Sequence, residues 1–243
     1  MAKFDGKQAR TNIDFDKVYL PSIAVDTVIF GFHEGKMKVL LLQYLNTREL
    51  ALPGGFIKIN EDLNEAAFRV LKERTSLTNI YLEQFHTFGD RSRNDDSMKR
   101  ITKATGMKLE KNHFLLRRFV SVGYYALVDY TKVTPQKDAL SENCTWYDLD
   151  KIPLLMQDHR SIIDKALYTL RKDLNEKLVG FNLLPETFTM AELQLLYETI
   201  LGKKFLRTSF QRSMLQLGIL KKVAKKMTGG AHKAPFLYRL NKR

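Results

Sequence analysis

Cysteine, tryptophan and proline are scarce in this 243-residue chain, with one Cys, one Trp and six Pro. A lone thiol, Cys144, cannot close an intramolecular disulfide or anchor a Cys-based metal cluster, so a reducing compartment fits the chain best. Long apolar runs are missing too. Ser22 to Phe32 and Met37 to Leu42 fall well short of the roughly 20 residues that span a bilayer, and Met1 to Leu20 is too polar for the apolar segment of an export signal. A soluble, cytoplasmic protein is expected. The five histidines show no paired ligand spacing, and neither a G-x-S-x-G nor a phosphate-loop motif occurs, so no catalytic residue, metal site or cofactor is assigned. The sharpest shortage is of acid. After Glu198 there is no Asp or Glu, while Lys203, Lys204, Arg207, Arg212, Lys221, Lys222, Lys225, Lys226, Lys233, Arg239, Lys242 and Arg243 follow.

This shortage places most of the formal net charge of +13 at one end of the chain. Residues 185–243 carry 12 Lys/Arg against 3 Asp/Glu, a net of +9, whereas residues 1–184 carry 28 against 24, a net of +4. The polyanion site therefore belongs to the C-terminal quarter. That quarter also has Leu, Ile, Phe, Tyr and Val at regular spacing, which a disordered basic tail would lack, so it should fold.

The first 150 residues read as mixed α/β. Ser22 to Phe32 and Met37 to Tyr44 are strand-like runs joined by a hairpin at His33 to Lys36, and Tyr81 to Thr87, Phe119 to Tyr130 and Thr145 to Leu149 complete a sheet. Leu52-Pro53-Gly54-Gly55 reads as a turn. Behind an acidic opening at Glu61 and Asp62, Leu63, Ala66, Ala67, Val70 and Leu71 mark an amphipathic helix, and Ile162, Ile163, Ala166, Leu167 and Leu170 mark another from about His159 to Lys172. Residues 91–117 interrupt the pattern with eight Lys/Arg and three Asp/Glu. This insertion is either helix or loop. It reads first as a solvated surface excursion, with a lid over a pocket or an extra DNA or dimer contact as the sharper alternatives.

Gly55 through Leu77 resembles the Nudix box, G-x5-E-x7-R-E-U-x-E-E-x-G-U, where U is a bulky aliphatic residue. Gly55, Glu61, Arg69, Leu71, Glu73 and Leu77 match it. The resemblance implies a helix face that presents three glutamates to Mg²⁺ or Mn²⁺ on a substrate diphosphate, yet those positions here are Val70, Glu73 and Arg74, and Ser76 replaces the last glycine. Val70 removes an oxygen ligand and Arg74 puts a fixed cation where the metal would sit. Three readings follow: a purely structural helix with Arg69 held by Glu65 and Glu73; a retained diphosphate or sugar pocket beside Gly54, Gly55, Arg69, Glu73 and Arg74, with Arg74 doing the metal's work; and residual metal-dependent hydrolysis. On the second reading, Arg74→Ala should weaken ligand-induced stabilisation with little change in the ligand-free melting point.

The C-terminal segment reads as a winged helix. Thr189 and Glu192 form a capping box with Phe188 and Leu193 as its staple, Leu193, Leu196, Tyr197, Ile200 and Leu201 supply an apolar face, and Gly202 stops the helix. A second capping box, Thr208 with Gln211, starts a helix whose Phe210, Met214 and Leu217 face inward and whose Ser209, Gln211, Arg212, Ser213 and Gln216 face out, a set suited to a major groove. Strands Ile219 to Val223 and Phe236 to Leu240 then flank a basic, glycine-hinged wing. The alternative is a small helical domain for protein contacts. On the DNA reading, Arg207, Thr208, Ser209, Gln211, Arg212, Lys225, Lys226, Thr228 and Lys233 make the contacts, Arg212 reading a base and the wing lysines following phosphates.

Together with Tyr81–Gln84, Thr87–Asp90, Val120–Leu127 and Gly180–Pro185, these features resemble the Nudix-related transcriptional regulators over about residues 20–243. The resemblance implies a Nudix-like α/β/α sandwich with a mixed sheet followed by a winged helix-turn-helix domain. The expected division is 1–155 for effector sensing, 156–184 for a connecting helix and linker, and 185–243 for DNA binding. It further implies a homodimeric bacterial regulator that binds double-stranded DNA and answers to a small effector, a sugar or an ADP-ribose-like molecule, in carbohydrate or NAD metabolism. The rival is a Nudix pyrophosphohydrolase of an ADP-ribose-like nucleotide with an accessory C-terminal domain.

Overall fold

The computed structural model describes residues 14–93, 96–226 and 234–241. After a short helix α1 (Phe15–Val18), the chain enters β1 (Tyr19–His33), the axis of the first sheet. Its residues Val25, Thr27, Val28, Ile29 and Phe30 are at most 1% exposed. A run buried on both faces belongs in the middle of a covered sheet, and that is where it lies. β2 (Lys36–Tyr44), β3 (Leu50–Ala51), β4 (Gly54–Lys58), helix α2 (Leu63–Thr75) and β5 (Tyr81–Phe88) follow. Helix α3 (Ser97–Ala104), β6 (Val120–Val128) and β7 (Ser141–Asp148) come next. The order is β3-β2-β1-β6-β5, with β4 paired to β1 and β7 to β2. β1 runs parallel to β6 from Ile23↔Val120 to Gly31↔Val128, while β4, β5 and β7 pair antiparallel with β1, β6 and β2 respectively. The sheet is mixed, as expected.

Gly54 and Gly55 lie in a strand rather than in a turn. They pair with Asp26 and Val25, and Thr27 N–H donates to Pro53 O at 2.8 Å. A Cβ on Gly54 would stand 2.7 Å from Asp26 Oδ1, so glycine is what lets the two strands close over that carboxylate.

α2 is set by its caps. Asp62 accepts from Glu65 N–H and Glu65 accepts in turn from Asp62 N–H, while Ser76 ends the helix at φ 59°. Ala66, Ala67 and Val70 pack on Val25, Ile57, Val122 and Tyr124. Full burial of a side chain the size of Val70 or Leu71 contributes about 1.5–3 kcal/mol.

Residues 91–117 are not a solvated excursion. They hold α3 and two single-turn helices, Arg91–Arg93 and Phe114–Leu116. Ile101, Phe114 and Leu115 are buried with Arg93 and Ser97. Met98, Ile101 and Ala104 form a stripe on α3, with Met107 just beyond its end, and Ile101 is fully buried.

Helix α4 (His159–Glu176) is followed by β8 (Phe188–Thr189), α5 (Met190–Leu201), α6 (Arg207–Gln216), β9 (Leu220–Lys225) and β10 (Phe236–Leu240). The small sheet runs β8-β10-β9. The described residues up to Gly31 with Lys38–Thr169 form one compact unit, and Phe32–Met37 with Leu170–Arg243 form the other. The second unit has its own core of Phe188, Leu193, Leu196, Tyr197, Ile200, Phe210, Met214 and Tyr238. The capping box of Thr189 and Glu192 is formed, and Gly202 terminates α5 at φ 67°. The second expected box is absent. α6 starts at Arg207 with Leu206 before it and no side-chain cap, and Leu217 is 49% exposed rather than inward.

Between α5 and α6 the turn is held by Glu198, which accepts from Lys204 Nζ at 2.8 Å, Gln194 Nε2 at 2.8 Å and Phe205 N–H at 3.0 Å. These donors hold its carboxyl at about 2, below the ordinary 4.5. A depressed carboxylate adds stability above its unfolded value, and that stability is lost as pH falls from about 4.5 toward 2. Glu198→Gln should therefore lower the melting point at pH 7, and the gap from wild type should narrow at pH 3. Separately, Ser76→Gly should raise stability by about 1 kcal/mol, because it relieves the left-handed backbone of a residue with a Cβ; chemical denaturation measures it.

Candidate ligand cavity and nucleic-acid interface

The first unit contains a cavity of about 190 Å³ bounded by β1, β4, residues 91–117, the loop before β7 and the start of α4. Gly54, Gly55, Phe56, Phe119, Leu115 and Met98 give it an apolar wall, and Asp26, Arg93, Asp138 and His159 supply polar groups. Asp26 sits in the central strand with its side chain 10% exposed, and that of Arg93 is 4% exposed. Asp26 Oδ2 accepts from Ser121 Oγ at 2.6 Å and from Arg93 Nη2 at 3.3 Å, while Arg93 Nη1 donates to both oxygens of Asp158 at 2.6 and 2.7 Å. His159 Nδ1 accepts from Leu52 N–H at 2.9 Å, which ties the start of α4 to the strand turn.

Of the effector residues expected from sequence, Gly54 and Gly55 line this cavity and Arg69, Glu73 and Arg74 do not. Arg69 is not held by Glu65, which is spent on the cap. Its Nε and Nη2 donate to Glu61 at 3.0 and 2.5 Å, its Nη2 also reaches Phe56 O at 2.8 Å, and Glu73 stands 3.5 Å away. The Arg69 guanidinium holds the Glu61 carboxyl below the usual range. Val70 is 1% exposed and fills the space under Gly55, where an added Cβ would meet Val70 Cγ2 at 2.8 Å. Arg74 turns into the interior and donates to Asp138 Oδ2 at 2.6 Å, with its side chain 7% exposed. The cation expected at the ligand is neutralised behind the wall. A divalent metal does not fit these positions: one donor is apolar, one is a guanidinium, and Glu73 is committed to Arg69. Among the described residues no other cluster of three His, Cys, Asp or Glu offers a metal site. Burial pushes the nearby Cys144 thiol up to about 11, which keeps it protonated and unreactive at neutral pH.

In the second unit α6 presents Arg207, Thr208, Ser209, Arg212 and Ser213 to solvent, with Gln211 half-buried. Neither arginine forms an ion pair with any described residue. Lys225 lies 5.7 Å from the Phe236 ring, and Lys226 Nζ pairs with Glu192 at 3.0 Å. Thr228 and Lys233 lie outside the described residues.

Family models match this layout in two parts: a NUDIX domain over residues 21–166, and the NrtR DNA-binding winged helix domain over 180–240. The chain belongs to the Nudix-related transcriptional regulators. Within that family it is 30% identical over 227 residues to the ADPR responsive transcriptional repressor NtrR of Acinetobacter baylyi, covering 90% of this chain and 82% of the relative. The crystal structure of Shewanella oneidensis NrtR superposes with a TM-score of 0.65 at 30% identity, covering 90% of this chain and 94% of that one, and the same protein complexed with a 27mer DNA also superposes at 0.65. A MutT/nudix family protein from Enterococcus faecalis, 21% identical with a TM-score of 0.68 over 91% of this chain and 86% of its own, shares the fold. No described helix of this family member is long and apolar enough to cross a membrane.

Sequence reasoning missed Asp26, Arg93, Asp158 and His159. One signal was present: Asp26 is the only charged residue in Ser22 to Phe32, and a strand otherwise fit for burial does not keep a carboxylate without a partner. The burial of Arg74 also reverses an expectation. Arg74→Ala should lower ligand-free stability by roughly 2 kcal/mol, because it strips Asp138 of a charge-assisted bond, and thermal melting reads the loss directly.

Proposed function

We propose that this family member is an ADP-ribose-responsive, DNA-binding transcriptional regulator that acts as a homodimer and has no hydrolase activity. The observation that carries the DNA reading is the exposed face of α6, on which Arg207 and Arg212 stand beside short polar side chains and pair with no carboxylate among the described residues. On a helix face of short polar side chains such arginines are suited to phosphates and base edges. Lys225 on β9 adds a mobile cation for the backbone. Two copies would place two such helices on a repeated half-site. The ADP-ribose reading rests on the Acinetobacter relative and on a Nudix fold with a cavity beside Gly54 and Gly55. Absence of hydrolysis follows from Val70 and Arg74, which leave Glu73 alone among the three metal-binding positions.

In this reading the first unit binds the small molecule and orients it without cleaving it. Arg69, Glu61 and the α2 caps keep the box rigid as scaffolding, and the second unit reads DNA.

A fluorescent duplex from the promoter region beside the protein's own gene provides the test. Arg212→Ala should cost about 1–3 kcal/mol on that duplex and much less on a scrambled one. Lys225→Ala should weaken both and lower the log–log salt slope by roughly 0.9 for each phosphate that is no longer neutralised. ADP-ribose should shift wild-type DNA affinity and, with Mg²⁺ or Mn²⁺, should yield no AMP. Multiple turnovers to AMP would replace this reading with the pyrophosphohydrolase, and wild-type DNA binding in both variants would remove the DNA role of this face.

A further inference from the structure

We propose that Arg93 is the residue through which the cavity senses its ligand, exchanging Asp158 for an anionic oxygen group of that ligand and so releasing the first turn of α4. The inference rests on the effector reading above and names the regulation of that site. Three observations carry it.

The first is charge. One guanidinium serves two carboxylates, Asp26 and Asp158, so the cluster carries a net negative charge before any ligand arrives. A diphosphate brought against Arg93 would add more, in a wall where the interaction is weakly screened. Arg117 also lines the cavity but is paired with Asp16, so the added charge is met most directly if one carboxylate leaves Arg93. Asp26 is held in the central strand by Ser121, with its side chain 10% exposed, whereas the side chain of Asp158 is 23% exposed and can turn to water. An anionic group that takes the place of Asp158 leaves the charge of the cluster unchanged, with Asp26 still on Arg93.

The second is an unmet donor. Arg93 Nε is buried and has no acceptor among the described residues, and Arg93 lines the cavity. A guanidinium with an unmet donor favours a further acceptor, and Nη1, once Asp158 turns away, is the donor an oxyanion would take while Nη2 stays on Asp26. Arg74 has a buried Nε as well, but it does not line the cavity.

The third is the position of Asp158. Its carbonyl accepts the first helical bond of α4, from Ile162 N–H at 3.0 Å, and Gln157 before it holds φ 48°, a conformation a non-glycine residue keeps only when its surroundings fix it. α4 is one continuous helix of 18 residues. Its residues through Thr169 belong to the first unit and the remainder to the second. In the second unit that remainder is bound to the winged helix: Arg171 Nε donates to Ile200 O at 2.8 Å, Tyr197 Oη to Leu174 O at 3.4 Å, and Leu174 Cδ1 would lie 2.7 Å from a Cβ on Gly180. One helix thus has its first turn at the ligand cavity and its last turns in the core that carries α6.

The test breaks the bridge from each side. Asp158→Asn keeps the shape and helix-capping ability of aspartate but not its charge; Arg93→Lys keeps a charge but not the fork. ADP-ribose affinity is measured by calorimetry, and affinity for the promoter duplex by anisotropy, ligand-free and with saturating ADP-ribose. Asp158→Asn should bind ADP-ribose at least about five-fold tighter than wild type, and Arg93→Lys at least about five-fold weaker. Ligand-free, both should show a DNA affinity moved toward that of ADP-ribose-saturated wild type. Opposite effects on ligand with the same effect on DNA are what a merely structural bridge would not produce. Wild-type or weaker ADP-ribose binding by Asp158→Asn overturns the proposal, as does ligand-free DNA affinity unchanged from wild type. Cooperative melting identifies which variants fold, and each folded variant decides the point by its own ligand-free DNA affinity. Should wild type ignore ADP-ribose, the effector reading fails by itself, and the bridge stands or falls on those same ligand-free affinities.

Discussion

Asp26 puts a carboxylate in the middle of the central strand of the first unit, and much of the surrounding architecture answers to it. An isolated buried charge costs several kcal/mol even after relaxation, so the strand is tolerable only if a cation and hydrogen bonds reach it. Ser121 supplies a hydroxyl from the neighbouring strand, Gly54 leaves room on the other side, and Arg93 has to be drawn in from outside the sheet. Drawing in Arg93 brings the rest of 91–117 with it, and Ile101, Phe114 and Leu115 follow into the interior. The segment becomes a cavity wall, and Arg93 also meets Asp158, the residue just before α4.

The Nudix box has been kept as architecture and altered as chemistry. Arg69 with Glu61 still ties α2 to the strand before it, which explains why those matches survive when the metal positions do not. Val70 trades a carboxylate for packing beneath Gly55, and Arg74 trades one for a buried bond to Asp138. Each change alone would leave a hole or an unpaired charge. Together with their partners they make a helix whose face toward the sheet is finished, and Arg69, Glu73 and Arg74 do not line the cavity.

The fold was largely legible in the sequence because its signals are local. Alternating and continuous apolar runs marked β1, β2 and β6, and the Thr189–Glu192 capping box fixed the start of α5. What failed depended on distant partners. Pro53-Gly54-Gly55 has turn composition, yet Val25 and Asp26 recruit the glycines into a strand. Thr208 and Gln211 have the spacing of a cap, yet the turn held by Glu198 starts the helix earlier, at Arg207. Arg93 looked like one more cation in a charged stretch, since nothing nearby in sequence says that its carboxylates lie 65 and 67 residues away.

Several arginines of the first unit are spent on carboxylates, whereas the two on α6 are not. Arg69, Arg74, Arg93 and Arg117 in the first unit each meet a carboxylate, so their charge is consumed in holding the structure together. In the second unit acid is rationed: Glu192 is occupied by the α5 cap and Lys226, and Glu198 by the turn and Lys204. Arg207 and Arg212 pair with no described carboxylate, so their charge is not spent on the fold, and in the reading proposed above it is this charge that meets the DNA.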